Sequence, residues 1–247
     1  MSYAEITFRD KNPVKRWLQR QRLVSAMKLC STSIRPLETI CDFGAGNGEL
    51  CKSLADHYPN AKIICYEPTP RLLLEARENL SSIANVEFFQ DIRSIVSGTL
   101  DLLFCLEVFE HLPPEETTDA LQTISDLLKP DGTVIIGVPV EVGVPALYKG
   151  IFRMWRRYGA FDANMKNVVL AFLLRPPSAR PVSEIAPGFR FHSEHMGFDF
   201  RRFKETVSSN FKLKRVSVSP FPVLGSWLMP EIYIVAEKAN KSLQRTR

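Results

Sequence analysis

Residues 40–50 read ICDFGAGNGEL, and this stretch decides the fold of the chain. It predicts an apolar strand that ends at Asp42, then a loop, then the start of a helix. The loop contains Gly44, Gly46 and Gly48. Glycines this close together let the backbone turn tightly and approach a ligand, with free N–H groups at the helix N-terminus facing it. The stretch therefore predicts a cofactor-binding loop. A nicotinamide- or flavin-binding loop would place its third glycine one residue later.

Length and composition point to one α/β domain, because 247 residues that are 45% apolar can bury one sizeable core. No apolar run approaches the length needed to span a bilayer, and the start MSYAEITFRD lacks the pattern of a signal peptide. We therefore expect a cytoplasmic protein, either free or peripheral at the inner face of the membrane. The cysteines show no paired spacing and indicate reduced, buried thiols. They are Cys30, Cys41, Cys51, Cys65 and Cys105.

The charge is unevenly distributed along the chain. Residues 31–140 carry 7 basic and 17 acidic residues, although the whole chain has a net charge of +5. An acidic half suits a positively charged cofactor, and the basic flanks suit an anionic substrate or an anionic surface. The alternative is that the charge runs are only solvated helix faces.

Two more strands end in acidic residues. The run AKIICYEP predicts a buried strand that ends at Glu67, about 20 residues beyond the glycine loop, where a carboxylate can accept hydrogen bonds from both hydroxyls of a ribose. The strand VEFFQDI then leads to Asp91. Strand, helix and turn signals continue to alternate through residue 140, which predicts βαβ units and a parallel sheet.

The chain is expected to form a single domain with five segments. The alternation breaks after residue 140, in an apolar and arginine-rich stretch that ends in a proline-rich run. The segments are a basic N-terminal helix in 1–34, a cofactor-binding half in 35–140, an inserted substrate lid in 141–190, a C-terminal helix with strands six and seven in 191–238, and a tail in 239–247.

These motifs together resemble the class I S-adenosylmethionine-dependent methyltransferases. The resemblance covers roughly residues 35–140 and rests on the glycine loop, the two acidic residues that follow the next strands, and the runs LEVFEHLPPEE and LLKPDG. It implies a Rossmann-like sheet of seven strands, mostly parallel with an antiparallel last strand, and helices on both faces. It also implies S-adenosyl-L-methionine as the cofactor.

The resemblance assigns a role to each motif residue. The three loop glycines cradle the methionine end of the cofactor, Asp42 sits under the loop, Glu67 takes the ribose and Asp91 takes the adenine. The implied cofactor-binding set is Asp42, Gly44, Ala45, Gly46, Gly48, Glu67, Pro68, Asp91, Ile92 and Leu106.

The second informative stretch is EVFEH, which places Glu107, Glu110 and His111 at positions i, i+3 and i+4. These side chains share one face if the segment is helical, and they are mixed oxygen and nitrogen ligands of the kind that Mg²⁺, Mn²⁺ or Zn²⁺ accept. Enzymes that methylate base nitrogens usually carry [N/D]-P-P-[aromatic] here instead. Its absence favours an oxygen nucleophile.

A similar E-x-x-E-H is found in two families, the ubiquinone-biosynthesis O-methyltransferases and the small-RNA 3′-terminal 2′-O-methyltransferases. In the second, a downstream histidine completes a metal site. Here His195 is the candidate for that fourth ligand, and His192 is the other. Two alternatives stay open for the motif. His111 acts as a general base without a metal, with the glutamates as helix caps, or the group is purely structural.

The predicted lid carries much of the acceptor specificity. Its run ALYKGIFRMWRRYG mixes aromatic and basic residues, which is typical of a helix that lies on an anionic membrane surface, here through residues 144–175. The alternatives are an ordinary lid with solvated arginines and, less favoured, a nucleic-acid groove.

The expected activity is methyl transfer from S-adenosylmethionine to a hydroxyl of an anionic or lipid-linked small molecule, such as a glycan precursor or an isoprenoid. Glu107, Glu110 and His111 are the candidate catalytic residues, and with His195 they are the candidate metal ligands. A metal-assisted RNA 2′-O-methyltransferase is the alternative. A protein that binds S-adenosylmethionine without catalysis is the third hypothesis.

Overall fold

The computed structural model describes residues 13–30, 36–186 and 189–239. Parts of the predicted N-terminal segment and tail, residues 1–12 and 240–247, lie outside the described residues. Within the described part of the chain, no helix is long and apolar enough to cross a membrane.

Helices and strands alternate as the sequence predicts through residue 139. The helices are α1 Pro13–Cys30, α2 Glu49–His57, α3 Pro70–Asn79, α4 Pro114–Leu127, α5 Val144–Arg157, α6 Met165–Phe172, α7 Phe200–Asn210 and α8 Gly225–Leu228. The strands are β1 Thr39–Phe43, β2 Lys62–Tyr66, β3 Val86–Phe89, β4 Leu100–Leu106, β5 Leu128–Pro139, β6 Ser183–Ala186, β7 Phe189–Phe191, β8 Phe211–Ser219 and β9 Glu231–Lys238.

Seven strands form one sheet in the order β3-β2-β1-β4-β5-β9-β8. The first five are parallel, and β9 runs antiparallel to both of its neighbours. The predicted fold class, with its antiparallel last strand, is confirmed. Strand order reverses between β1 and β4, so the loops that follow these two strands diverge and leave a crevice at the carboxyl edge of the sheet.

The sheet is buried on both faces, which explains why its strands read as nearly continuous apolar runs. Cys41 and Leu103 belong to the core beneath α4 and α7, whereas Ile40 and Leu102 belong to the core beneath α1, α2 and α3. All five cysteines are buried and free, as their spacing indicated.

The predicted lid is built from α5, α6 and the hairpin β6–β7. The two helices pack closely at Gly150, where a Cβ atom would lie 2.5 Å from a methyl of Val168. The lid has a small core of its own, made of Ala146, Val168, Ala171 and Met196. Met196 directly follows His195 in the chain, so this core ties the lid to the segment that carries His195.

Truncation of Leu121 tests the packing of α4 on the sheet. This side chain is fully buried, so Leu121→Ala should lower the free energy of unfolding by about 2–5 kcal/mol. Urea unfolding followed by circular dichroism measures the change. The neighbouring exposed residue supplies the control, since Gln122→Ala should change stability by no more than about 0.5 kcal/mol. Equal effects of the two substitutions would contradict the placement of α4.

Candidate functional site

The glycine loop lies in the crevice between β1 and β4. Gly44, Gly46 and Gly48 all have positive φ, at +80°, +57° and +84°, which residues with a Cβ rarely adopt. A Cβ at Gly44 would lie 2.5 Å from Val108 Cγ2, and one at Gly48 would lie 2.6 Å from Leu80 Cδ1. The loop after β1 therefore touches the loop after β4, and glycine is required for that contact.

Glu67 braces the glycine loop from the end of β2. Its carboxylate accepts the N–H of Gly46 at 2.9 Å and the N–H of Thr69 at 2.8 Å. Burial raises the pKa of Glu67, and these hydrogen bonds oppose the rise. Each oxygen keeps a lone pair, so the carboxylate can still accept hydrogen bonds from a ligand's hydroxyls.

Asp42 lies beneath the loop, at the end of β1, and is only 3% exposed. Its carboxyl accepts a weak hydrogen bond from the Cys51 thiol at 3.5 Å. Burial raises the pKa of Asp42 to about 7. The carboxyl therefore titrates close to neutral pH and adds negative charge under the loop at higher pH.

Asp91 follows β3 and is exposed. It caps the short 3₁₀ turn Ile92–Ser94 and accepts hydrogen bonds from the Arg93 side chain, which lower its pKa. The remaining residues of the implied cofactor set are half-buried. They lie at the end of β4 or in the loops that follow β1, β2 and β3, namely Ala45, Pro68, Ile92 and Leu106.

A second group lies beside the loop that follows β4, and it contains Glu110, His111 and His195. The Nε2 atoms of the two histidines are 3.2 Å apart, and they lie 3.9 Å and 4.0 Å from Glu110 Oε1. These three separations define a point about 2.2 Å from all three atoms, which is close to the bond length of Zn²⁺ or Mg²⁺ with such ligands. The donor set therefore fits a divalent cation.

The hydrogen bonds of His111 decide which of its nitrogens can bind. Nδ1 donates to the carbonyl oxygen of His192 at 2.7 Å, so the neutral ring carries its proton there. The Nε2 lone pair then faces Glu110 and His195. The ring is also stacked on Phe191, with centroids 4.4 Å apart and planes at 10°, which fixes its orientation.

The electrostatic environment of this group is unusual, because buried polar side chains normally have hydrogen-bond partners. Glu110 is fully buried, and both of its carboxyl oxygens lack a hydrogen-bond partner. Burial, and then the charge of Glu107, raise its pKa well above the ordinary value. Burial also lowers the pKa of both histidines, that of His195 to about 3. A bound cation would satisfy all three groups at once, because each would present a lone pair.

Glu107 lies outside this group, contrary to its prediction as a metal ligand. The expectation required a helix through the motif, but only Phe109–His111 forms a 3₁₀ turn, and Glu107 precedes it at φ +56°. Its carboxylate instead forms a salt bridge with Arg22 at 3.1 Å. His192 also lies outside the group, because its Nδ1 donates to the carbonyl of Pro181 at 2.8 Å.

Arg22 of α1 and Glu231 of β9 are site residues that the sequence analysis missed. Arg22 bridges Glu107 and Glu231, and Tyr233 Oη donates to its carbonyl at 3.2 Å. Burial would lower the pKa of Arg22, but the two carboxylates raise it. One signal was present in the sequence, since Glu231 is an isolated acid at the start of an apolar strand.

Arg180 was also missed, and it holds the two halves of the histidine cluster together. Its Nη2 donates to the carbonyls of Glu110 and Glu194, both at 2.6 Å, and its Nε donates to that of Met196 at 3.1 Å. Gly197 makes room for it, because a Cβ there would lie 2.7 Å from Arg180 Cγ.

Most of the basic residues of α5 form ion pairs with buried acidic residues. Glu141 is fully buried and pairs with Lys149 at 3.1 Å and Arg153 at 2.8 Å. Burial would raise the pKa of Glu141, but these two cations hold it well below its ordinary value. Arg157 pairs with the buried Asp162 at 2.5 Å. Lys149 and Arg153 therefore point inward and shape the lid, whereas the side chain of Arg157 is 55% exposed.

The comparisons with known proteins agree with this geometry. A family model described as "Methyltransferase domain" matches residues 41–134. Trans-aconitate 2-methyltransferase of Deinococcus radiodurans is 28% identical over 107 residues, which are 43% of this chain and 40% of that protein. Ubiquinone biosynthesis O-methyltransferase of Xanthomonas axonopodis pv. citri is 28% identical over 102 residues, which are 39% of this chain and 41% of that protein. The chain thus spans about two fifths of the length of these relatives.

A solved structure supports the fold. The methyltransferase domain of bacterial CtHen1-CN superimposes with a TM-score of 0.58 at 16% identity, over 89% of this chain and 99% of that chain. Residues 41–134 therefore resemble a methyltransferase domain in sequence, and the chain shares its fold with solved methyltransferases, as its motifs predicted.

The raised pKa of Asp42 predicts a pH dependence of stability. The native carboxyl holds its proton up to about pH 7, whereas the unfolded one loses it near its ordinary value of 3.8. Folding therefore becomes less favourable as pH rises through this window. Asp42→Asn should reduce this loss between pH 5 and pH 8 by on the order of 2 kcal/mol.

Urea unfolding of the cofactor-free protein at several pH values measures this effect. Asp56→Asn is the matched control, because Asp56 is exposed, and it should leave the pH profile unchanged. A profile for Asp42→Asn that parallels the wild type would show that Asp42 titrates normally.

Proposed function

We propose that the protein is an O-methyltransferase that uses S-adenosyl-L-methionine and holds a divalent cation at Glu110, His111 and His195. The observation that carries the metal part is the unpartnered, fully buried carboxyl of Glu110 beside two imidazole nitrogens 3.2 Å apart. The match of residues 41–134 to a methyltransferase-domain model and the glycine loop support S-adenosyl-L-methionine as the cofactor.

The residues around the glycine loop fit that cofactor. The loop backbone, with glycine at each positive φ, would hold the methionine end, and Glu67 and Asp91 would accept hydrogen bonds from the ribose and the adenine amino group. The cofactor supplies a methyl group on a positively charged sulfur, which is already a good leaving group. The buried carboxyls at Asp42 and Glu67 favour that positive charge.

The chain's own residues then have three tasks. The contact of Gly44 with Val108 sets the glycine loop against the segment that carries the cluster, which aligns acceptor and methyl group. In the proposed transfer the acceptor oxygen forms a bond to the methyl carbon as the carbon–sulfur bond breaks. The electron pair of that bond stays on sulfur, and the hydroxyl proton passes to solvent. A divalent cation held by the cluster would lower the pKa of that hydroxyl. Arg180 and the bond from His111 to His192 keep the three ligands in place.

The acceptor is proposed to be an anionic or lipid-linked small molecule. The outer face of α5 supports a lipid-linked acceptor, because Phe152 and Trp155 are exposed there. Lys149 and Arg153 are turned inward to Glu141. A groove for nucleic acid would need those cations free to meet phosphates.

An RNA 2′-O-methyltransferase is the second candidate. The histidine cluster favours it, together with the basic residues that flank the acidic cofactor-binding half. Turnover assays with two kinds of acceptor separate these classes. One acceptor is a short RNA with a free 3′-terminal ribose, and the others are lipid-linked hydroxyl compounds. The product measured in each assay is S-adenosylhomocysteine. Turnover with either would exclude a non-catalytic binding protein.

The cofactor assignment predicts the behaviour of a loop variant. Gly46→Arg puts a long side chain at φ +57° in the loop, so it should abolish binding of S-adenosylmethionine in calorimetric titration while the protein stays folded. Gly98→Ala is the control, because Gly98 also has positive φ but no neighbour within 4 Å of a Cβ. Wild-type affinity in Gly46→Arg would overturn the assignment.

The metal assignment predicts the effect of removing ligands. The purified protein should retain about one equivalent of metal that EDTA removes, and Glu110→Gln, His111→Ala and His195→Ala should each lower metal affinity at least about tenfold. Each variant should keep its affinity for S-adenosylhomocysteine. His57→Ala, at an exposed histidine, is the control.

A turnover assay distinguishes the two candidate roles of His111, which are metal ligand and metal-free general base. If turnover resists EDTA and only His111→Ala abolishes it, His111 is a metal-free general base and the cation is wrong. If EDTA and all three substitutions abolish turnover alike, and added Mn²⁺ or Zn²⁺ restores the wild type, the cation is supported.

A further inference from the structure

An exposed apolar surface lies on the lid and beside it. It is made by the outer face of α5, the connection 220–230 between β8 and β9, and the start of α1. Six side chains define this surface, which we call the aromatic face: Trp17, Phe152, Trp155, Phe221, Val223 and Trp227.

These large apolar side chains are strongly exposed to solvent. Val223 is 97% exposed, Trp155 83% and Trp227 70%. Large apolar groups gathered this way mark an interaction site rather than scattered surface positions. The chain has only three tryptophans, and all three belong to the aromatic face. Tryptophan is the side chain that favours the interface between a bilayer and water.

Specific contacts join the three segments into one surface. Tyr148 Oη of α5 donates to the carbonyl of Leu228 at 3.3 Å. The ring of Trp17 in α1 lies against that of Phe221, with centroids 6.3 Å apart. Ser25 of α1 and Ser219 of β8 share a hydrogen bond of 2.8 Å. The aromatic face is therefore supported by the folded core on three sides.

The charge of these segments is one-sided. Residues 13–30, 142–161 and 219–230 together contain nine basic residues and no acidic residue. Several of these cations pair with buried acids, but Arg20 and Arg156 are exposed, and Arg156 lies 5.7 Å from the ring of Phe152. Aromatic side chains with cations and without acids match a bilayer that carries anionic headgroups.

The topology places the aromatic face at the edge of the sheet where the site opens. The lid begins just after Pro139, the last residue of β5, and Pro139 pairs with Glu231, the first residue of β9. The connection 220–230 therefore lies at the carboxyl edge, as does the loop that follows β1. A molecule held in a bilayer against the aromatic face would have its polar end close to the crevice.

We propose that the aromatic face docks on the surface of an anionic lipid bilayer. Trp155, Trp227 and Val223 enter the headgroup region, and Arg20 and Arg156 meet lipid phosphates. The docking does not depend on the reaction, although it deepens the proposed function by naming where a lipid-linked acceptor is met.

Vesicle binding of the full-length protein, without cofactor, tests the proposal. The probes are vesicles of phosphatidylcholine alone and vesicles of phosphatidylcholine with an equal part of phosphatidylglycerol. Each composition is also prepared with brominated lipid. The wild type should float with the anionic vesicles, and brominated lipid should quench its tryptophan fluorescence. The double variant Trp155→Gln with Trp227→Gln should bind at least about tenfold more weakly.

Two controls make the result specific. Val96→Gln removes an apolar residue that is 70% exposed but lies outside the aromatic face, and it should bind vesicles like the wild type. The double variant should keep wild-type affinity for S-adenosylhomocysteine, so that a failure of the docking and a failure of the proposed function are told apart.

Three results would overturn the docking. The wild type stays unbound with anionic vesicles, or the double variant binds as tightly as the wild type. The third result is a wild-type dimer in solution that the double substitution dissociates, while neither protein binds vesicles. The aromatic face would then be an interface between copies of the chain.

Discussion

The close approach of the glycine loop to the loop after β4 is the constraint on which this molecule depends. Gly44 lies so near Val108 that a Cβ would reach within 2.5 Å of a methyl group. Strand order reverses between β1 and β4, so these two loops can meet only in the crevice at that point. One loop belongs to the cofactor cradle, and the other leads directly into Glu110 and His111. A substitution at Gly44 therefore disturbs both halves of the site together.

Around that contact the protein buries more ionisable groups than its stability alone would favour. Asp42, Glu67, Glu110 and Glu231 are all buried, and burial raises the pKa of each. Only Glu231 is directly neutralised by a cation, Arg22. A cofactor with a positive sulfur and a divalent cation would both reduce this unfavourable burial. The same groups that lower the stability of the free protein thus provide the electrostatics that its proposed ligands require.

The lid shows how one helix can serve two surfaces. On its inner side, α5 directs Lys149 and Arg153 to the buried Glu141, which anchors the helix over the end of β5. On its outer side it presents Phe152 and Trp155 to solvent. Its amphipathic pattern is therefore inverted in part, with cations inside and aromatic rings outside. This anchor fixes α5, and with it Phe152 and Trp155, against the end of β5.

The sequence by itself determined the seven strands of the main sheet, the glycine loop and the positions of Asp42, Glu67 and Asp91, because apolar runs and closely spaced glycines are local signals. It also indicated E-x-x-E-H and a later histidine as candidate ligands. Only the tertiary structure decided that His195 rather than His192 joins the cluster, and that Glu107 is excluded. The first choice depends on Arg180 and the lid core, and the second on a left-handed backbone at Glu107 that no helical spacing could foresee. Arg22 and Glu231 meet across 209 residues, so no pattern within one segment could pair them.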